Sequence, residues 1–137
     1  APHLETVTRC IAESIDNAGV LSHDIDVVNA HAASTKVGDQ VEYHALKAVF
    51  GDEVPPVTAN KSLIGHAMGA SSAIESILTM EGMLGGIVPP TINYTPDPEL
   101  ALDCVQEGAR KLGQKLVLKN AFGFGGCNSC VVFRRVS

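Results

Sequence analysis

The sequence predicts an α/β domain built on a mixed β-sheet, and two observations carry this prediction. Helical and strand-like patterns alternate along the chain in the order α-β-α-β-α, and an extended segment and two further strands follow. Such alternation is typical of parallel strands joined by helices, whereas two consecutive strands are typical of an antiparallel pair. The composition agrees, because 45% of the 137 residues are hydrophobic and 18% are charged, which favours one globular domain with a real core.

The first half of the chain supplies two helices and two strands. Apolar residues recur at steps of three and four over residues 4–18, which predicts an amphipathic helix that ends at Gly19. A short β-rich run covers residues 25–29. A second helix is predicted over residues 38–50, and a second short strand over residues 56–60.

The second half opens with a helix predicted over residues 67–84. This segment is apolar almost all the way round, with Glu75 and Glu81 as its charged exceptions. A helix of that kind is usually buried between other layers of a fold. The remaining predicted elements are an extended, proline-rich stretch at 87–98, strands at 115–122 and 129–136, and the glycine-rich loop 123–128 between those strands.

The charge and hydropathy of the chain exclude two classes of partner. The formal net charge of −5 argues against nonspecific nucleic-acid binding, which relies on a basic surface. No apolar run reaches the roughly 20 residues that span a bilayer, so no membrane segment is predicted. Without a signal peptide, the cytoplasm is the predicted compartment, or the plastid in a eukaryote.

Two histidines mark the candidate site. His31 follows the first predicted strand and His66 follows the second, and ligands in open α/β folds bind beyond the carboxyl ends of strands. His66 also precedes a helix, whose N-terminal dipole, together with Lys61, favours a neutral imidazole. Two such imidazoles aimed at one point can stabilise an oxyanion. Glu75 is predicted to balance Lys61 if the helix turns it inward.

A metal site is the less favoured interpretation of the same residues. His31, His66 and Cys127 have suitable ligand atoms, but no close i, i+4 pair supports coordination. The sequence therefore predicts no metal.

Four segments of the chain resemble motifs of the β-ketoacyl-acyl carrier protein synthases. Residues 29–42 resemble the family's Asn-Ala-His-Gly-Thr-Ser-Thr…Gly-Asp…Glu motif, and residues 61–70 resemble its Lys-Ser…Gly-His…Gly-Ala motif. Residues 121–128 resemble the family's Ser-Phe-Gly-Phe-Gly-Gly-(Thr/His)-Asn loop. Residues 88–93, Val-Pro-Pro-Thr-Ile-Asn, also resemble a segment found in the family. The match keeps order and register over nearly the whole chain, and it corresponds to the family's C-terminal half.

The resemblance implies a fold and an activity. Family members have a thiolase-like fold of two related α/β halves, each a mixed sheet with helices on both faces, and they usually form homodimers. They condense an acyl group, held on a cysteine, with the enolate formed by decarboxylation of a malonyl thioester. Residues 1–137 would then be the C-terminal thiolase-like domain. Its expected partners are acyl carrier protein, malonyl and acyl thioesters, and the N-terminal half of the enzyme. No cofactor of its own is expected, because the carrier protein brings the phosphopantetheine arm.

The resemblance also assigns roles to individual residues. His31 and His66 would be the imidazoles of a Cys-His-His triad, with Lys61 orienting and tuning His66 and Glu75 as the carboxylate partner. Thr35 would hold the phosphopantetheine arm. The residues that would gate the acyl chain are Phe124 and its flexible neighbours Gly123 and Gly125.

The chain departs from the family pattern at the nucleophile and at the arm-binding segment. Cys10 lies in a predicted amphipathic helix, Cys104 in a connection between prolines and a helix, and Cys130 at the start of a strand, so none has an activating setting. The chain alone is therefore predicted not to form an acyl-enzyme. Ala33 replaces one of the family's two threonines, which would remove about 1 kcal/mol of binding.

Two other interpretations stay open from the sequence. A thiolase-like acyltransferase shares the fold, although the His-x-x-Ser-Thr segment and the lysine before Gly-His argue against it. The second interpretation is a non-catalytic partner that resembles a chain-length factor, or an inactive fragment. The presence of both histidines and Lys61 argues against this interpretation.

Overall fold

The structure is a computed structural model, and it describes residues 2–137. Its regular elements follow the predicted alternation of helices and strands, with a short helical turn and a two-residue strand that were not predicted. These elements are α1 (Leu4–Asn17), β1 (Val27–Asn29), α2 (Lys36–Phe50), β2 (Val57–Thr58), α3 (Lys61–Ile64), α4 (Ser71–Gly85), β3 (Ile87–Val88), β4 (Arg110–Lys111), β5 (Leu116–Phe122) and β6 (Asn128–Arg134).

The main sheet has the strand order β2-β1-β5-β6, and β3 and β4 form a separate antiparallel pair. Strand β1 runs parallel to β2 and to β5, whereas β6 runs antiparallel to β5. This arrangement confirms the predicted mixed sheet. At the carboxyl end of β1, Asn29 is paired with Thr58 on one side and with Lys119 on the other.

Helices cover both faces of the sheet, as expected. Strand side chains point alternately to opposite faces. Val28 and Leu118 pack into a core with residues of α1 and α2, and Val27 and Val117 pack on the other face with Met83 of α4. The core therefore lies on the two sides of β1 and β5, and it fixes the strand ends from which the site is built.

Two helix boundaries differ from the prediction for local reasons. Helix α2 begins at Lys36, two residues before the predicted start, because the Thr35 hydroxyl accepts a hydrogen bond of 3.2 Å from the Gly38 amide and caps the first turn. Helix α4 begins at Ser71 rather than near Ala67. The chain before it forms a 3₁₀ turn, in which Met68 has a φ of +48°.

The expected burial of the third long helix between other layers is found on one of its sides only within the described residues. Helix α4 turns its polar residues inward, with Glu75 and Thr79 buried, whereas Ile77 is 56% and Leu84 64% exposed. The buried side of α4 packs against polar groups at the strand ends, and its apolar opposite side is exposed within the described residues. Although α4 is apolar, neither it nor any other helix within residues 2–137 is long and apolar enough to cross a bilayer.

Candidate active site

The two histidines lie together at one edge of the sheet, as predicted. His31 follows β1 and His66 follows α3, and β1 and β2 are parallel neighbours whose carboxyl ends meet at the same edge. The centroids of the two imidazole rings are 5.9 Å apart, and the ring planes are inclined at 84°. Both rings can therefore face one small group.

The backbone of His31 is fixed by Glu42, a buried carboxylate on α2. The amide of His31 donates to Glu42 Oε1 at 2.9 Å, and the amide of Ala32 donates to Oε2 at 2.8 Å. Asn120 of β5 donates its side-chain amide to Oε1 at 3.0 Å. Because Ala32 has a φ of +33°, which non-glycine residues rarely adopt, these hydrogen bonds hold a strained loop in place.

The environment of His31 keeps its imidazole neutral. Burial, reinforced by the positive charges of Lys61 and Lys119 and by His66, lowers the pKa of His31 from 6.5 to about 4. The ring lies beside Phe122, with 5.4 Å between centroids. At neutral pH His31 is therefore a hydrogen-bonding group without charge.

Lys61 forms a buried ion pair with Glu75, as predicted. The Lys61 ammonium lies 2.9 Å from Glu75 Oε1 and 3.0 Å from Oε2, and both side chains are almost completely buried. The same ammonium donates to the carbonyl oxygen of His31 at 2.6 Å. Lys61 stands at the start of α3, and its side chain crosses to the neighbouring strand end, where it holds His31. Its predicted effect on His66 stays a prediction.

The ring of His66 is hydrogen-bonded to the residues that follow it. Its Nδ1 accepts a hydrogen bond of 3.1 Å from the Met68 amide and lies 3.0 Å from the Ser71 hydroxyl. Since an amide N–H can only donate, Nδ1 carries no proton, and the proton of the neutral ring lies on Nε2. The exposed His66 ring thus presents an N–H donor away from its anchoring turn.

A second buried lysine, which was not predicted from the sequence, completes the cluster. Lys119 of β5 is 3% exposed, and its ammonium lies 3.6 Å from Glu75 Oε1 and donates to the backbone oxygen of Asn120. No role was predicted for Glu42 either, although it ends the first of the matched motifs. For Lys119 the available signal is a charge within an otherwise apolar strand, because such a residue is rarely buried without a partner. Glu42 lies in a polar stretch of α2 and carries no such signal.

A cavity of about 740 Å³ opens beside His66 and Lys61. Its walls combine polar residues of the 30–46 segment, Thr35 among them, with apolar side chains such as Leu46 and Leu102. The volume lies in the range of sites that bind small organic molecules. The predicted contact of Thr35 with a substrate arm is compatible with this position and stays a prediction.

The glycine-rich loop between β5 and β6 projects outward. Phe124 is 93% exposed, and Gly125 has a φ of +75° that suits glycine. The Gly123 amide donates to the Cys127 carbonyl at 2.7 Å, which closes the loop at its base. Phe124 does not line the cavity, so its gating role, like that of Gly123 and Gly125, stays a prediction.

Two of the cysteines, Cys104 and Cys130, have environments that differ from that of an activated thiol. Cys104 lies in an extended segment and forms a backbone β-bridge with Val57. The prediction that Cys104 lies in a connection leading into a helix is therefore wrong. Burial raises the pKa of the Cys104 and Cys130 thiols, which disfavours the nucleophilic thiolate. Within residues 2–137, His, Cys, Asp and Glu side chains form no group of three or more that is placed to hold a metal ion.

Comparison with known proteins places the chain in a family. Residues 1–95 match the model described as "Beta-ketoacyl synthase, C-terminal domain". The 3-oxoacyl-[acyl-carrier-protein] synthase 2 of Mycobacterium tuberculosis is 42% identical over 135 residues, which are 98% of this chain and 32% of that protein.

Solved structures agree with the sequence match. The ishigamide ketosynthase/chain length factor superposes with a TM-score of 0.97 at 36% identity, covering 100% of this chain and 34% of its own. A type II PKS ketosynthase in complex with its acyl-carrier protein, AntDE:AntF, superposes with a TM-score of 0.93 at 34% identity. The superposition covers 98% of this chain and 34% of the ketosynthase chain. The chain spans about a third of the length of these relatives. It belongs to the β-ketoacyl synthase family, and the part of the family that it matches is the C-terminal domain.

Proposed function

We propose that this chain supplies the two imidazoles for decarboxylative condensation of a malonyl thioester in fatty-acid or polyketide synthesis. The observation that carries the proposal is the pair of imidazoles 5.9 Å apart, of which His31 is kept neutral and His66 presents Nε2–H. Neutral N–H donors that are fixed before the reaction stabilise an oxyanion without a proton transfer.

The chemistry proceeds in two steps. The bond between the malonyl carboxylate and its methylene carbon breaks, carbon dioxide leaves, and the electron pair forms an enolate whose oxygen accepts hydrogen bonds from His31 and His66. The enolate carbon then attacks the carbonyl of an acyl thioester, a new carbon–carbon bond forms, and the thiolate leaves. The environments of Cys104 and Cys130 support a nucleophilic cysteine outside residues 1–137, in the N-terminal half of the complete enzyme.

The partners follow from the same proposal. The AntDE:AntF structure is described as a ketosynthase with its acyl-carrier protein, which supports an acyl carrier protein as the donor of the malonyl group. The cavity beside His66 and Thr35 would receive the phosphopantetheine arm, so the chain itself needs no cofactor. We propose a homodimeric enzyme in the cytoplasm, or in the plastid of a eukaryote.

The experiment measures carbon dioxide released from malonyl-acyl carrier protein by the natural protein that contains this chain. His31→Ala is expected to lower the rate by roughly a hundredfold or more, in keeping with the loss of one oxyanion donor. His44→Ala is the matched control, because His44 is exposed on α2 and does not line the cavity. Equal rates in the wild type and in His31→Ala would refute the proposal, and turnover of acetyl-coenzyme A alone would favour the thiolase reaction.

A further inference from the structure

The cluster beneath His31 is a closed ring of charges and hydrogen bonds. Glu42 holds the amide of His31, and Lys61 holds its carbonyl oxygen. Lys61 pairs with Glu75, and Glu75 also faces Lys119. Asn120, which follows Lys119 in β5, donates to Glu42 and closes the ring.

The formal charges of this cluster sum to zero only when Lys119 is included. Two carboxylates, Glu42 and Glu75, face two ammonium groups, Lys61 and Lys119, and all four side chains are buried. A buried charge without a partner is costly, because the interior solvates it poorly. Without Lys119 the cluster would carry one excess negative charge directly beneath His31.

We infer that Lys119 is a positioning residue for the proposed reaction: its buried ammonium balances Glu42 and Glu75 and so sets the charge that His31 experiences. The inference rests on the proposed function for its catalytic meaning, but the charge balance can be measured without any activity. The Lys119 ammonium contacts Glu75 and the backbone oxygen of Asn120, not the imidazole of His31. It therefore acts on His31 through Glu75 and through the electric field of its charge.

The titratable groups around Lys119 and His31 come from five elements and one loop. Lys119 faces Glu75 on α4, Lys61 on α3, Glu42 on α2 and Cys130 on β6. His31 experiences Lys61, Lys119 and His66 through space, and Glu42 at its amide. Burial, reinforced by the positive charge of Lys61, lowers the pKa of Lys119, and the carboxylates of Glu75 and Glu42 offset part of that effect.

The test is a titration of the His31 ring protons by NMR in the natural protein that contains this chain. Lys119→Met removes the charge at similar length, and it should raise the pKa of His31 by roughly half a unit or more above its starting value. Lys119→Arg should keep the low pKa. Lys115→Met is the control, since Lys115 lies just before β5 with an exposed side chain, and it should leave the titration unchanged.

The outcomes separate this inference from the proposed function. An unchanged His31 titration in folded Lys119→Met would overturn the inference, whatever the enzyme activity. If Lys119→Met does not fold, Lys119→Gln, which removes the charge but keeps a polar end, is titrated in its place, and an unchanged His31 titration in that variant would equally overturn the inference. The decarboxylation rate of His31→Ala tests the proposed function and is independent of both measurements.

Discussion

The ammonium of Lys61 donates a 2.6 Å hydrogen bond to the backbone carbonyl of His31, not to its ring. Together with the Glu42 carboxylate on the amide side, it holds His31 through the peptide groups that flank its Cα. The imidazole nitrogens are thereby left free of these anchors. A ring held in this way is positioned before substrate arrives, which is what oxyanion stabilisation requires.

The first prediction concerns the stability of the buried ion pair. Lys61→Met leaves Glu75 with only the more distant Lys119 at 3.6 Å. Breaking a buried pair on one side costs about 3–5 kcal/mol of unfolding free energy, and the remaining lysine places the expected loss near the lower value. Urea denaturation followed by circular dichroism measures it. Lys47→Met removes an exposed pair with Asp52 and should change stability little, so equal losses in the two variants would contradict the prediction.

The second prediction concerns Glu42. Glu42→Gln retains one acceptor oxygen where three donors converge, so the amides of His31 and Ala32 cannot both keep a carboxylate partner. The expected loss of unfolding free energy is about 1–3 kcal/mol. Hydrogen exchange at these two amides should accelerate. Glu13→Gln on the exposed side of α1 is the control, and unchanged exchange in Glu42→Gln would contradict the anchoring role.

The third prediction concerns the pH dependence of stability. His31 has a pKa of 6.5 when unfolded and of about 4 when folded, so the unfolded state binds more protons between these values. The contribution of His31 is therefore fully present above pH 6.5 and is lost as the pH falls toward 4. Unfolding free energies of the wild type and of His31→Gln, measured across this window, should differ in slope, with the wild type steeper. Parallel curves would count against a depressed pKa.

The order of elements and the location of the site were predictable because they depend on local patterns. The His31 and His66 segments each follow a strand, and parallel neighbours bring such ends together, so the pair could be placed from sequence. The partner of Lys61 could be named because Glu75 was a charge in an apolar helix. The reach of Lys61 to His31 could not, since it depends on how β1 and β2 are juxtaposed in space. For the same reason Lys119 was missed, because its pairing with Asn29 across the sheet is not a local property.

The last prediction concerns the tautomer of His66. The Met68 amide donates to Nδ1 at 3.1 Å, so the neutral ring should carry its proton on Nε2 at a higher fraction than a free histidine does. Long-range ¹⁵N–¹H NMR spectra distinguish the two nitrogens, and exposed His44 provides the reference in the same spectrum. Ser71→Ala removes the 3.0 Å hydroxyl contact but leaves the Met68 amide, so the Nε2–H tautomer should persist with a looser ring. Protonation on Nδ1 in the wild type would remove His66 as an N–H donor on Nε2, and the proposed enolate contact would then have to come from His31 alone.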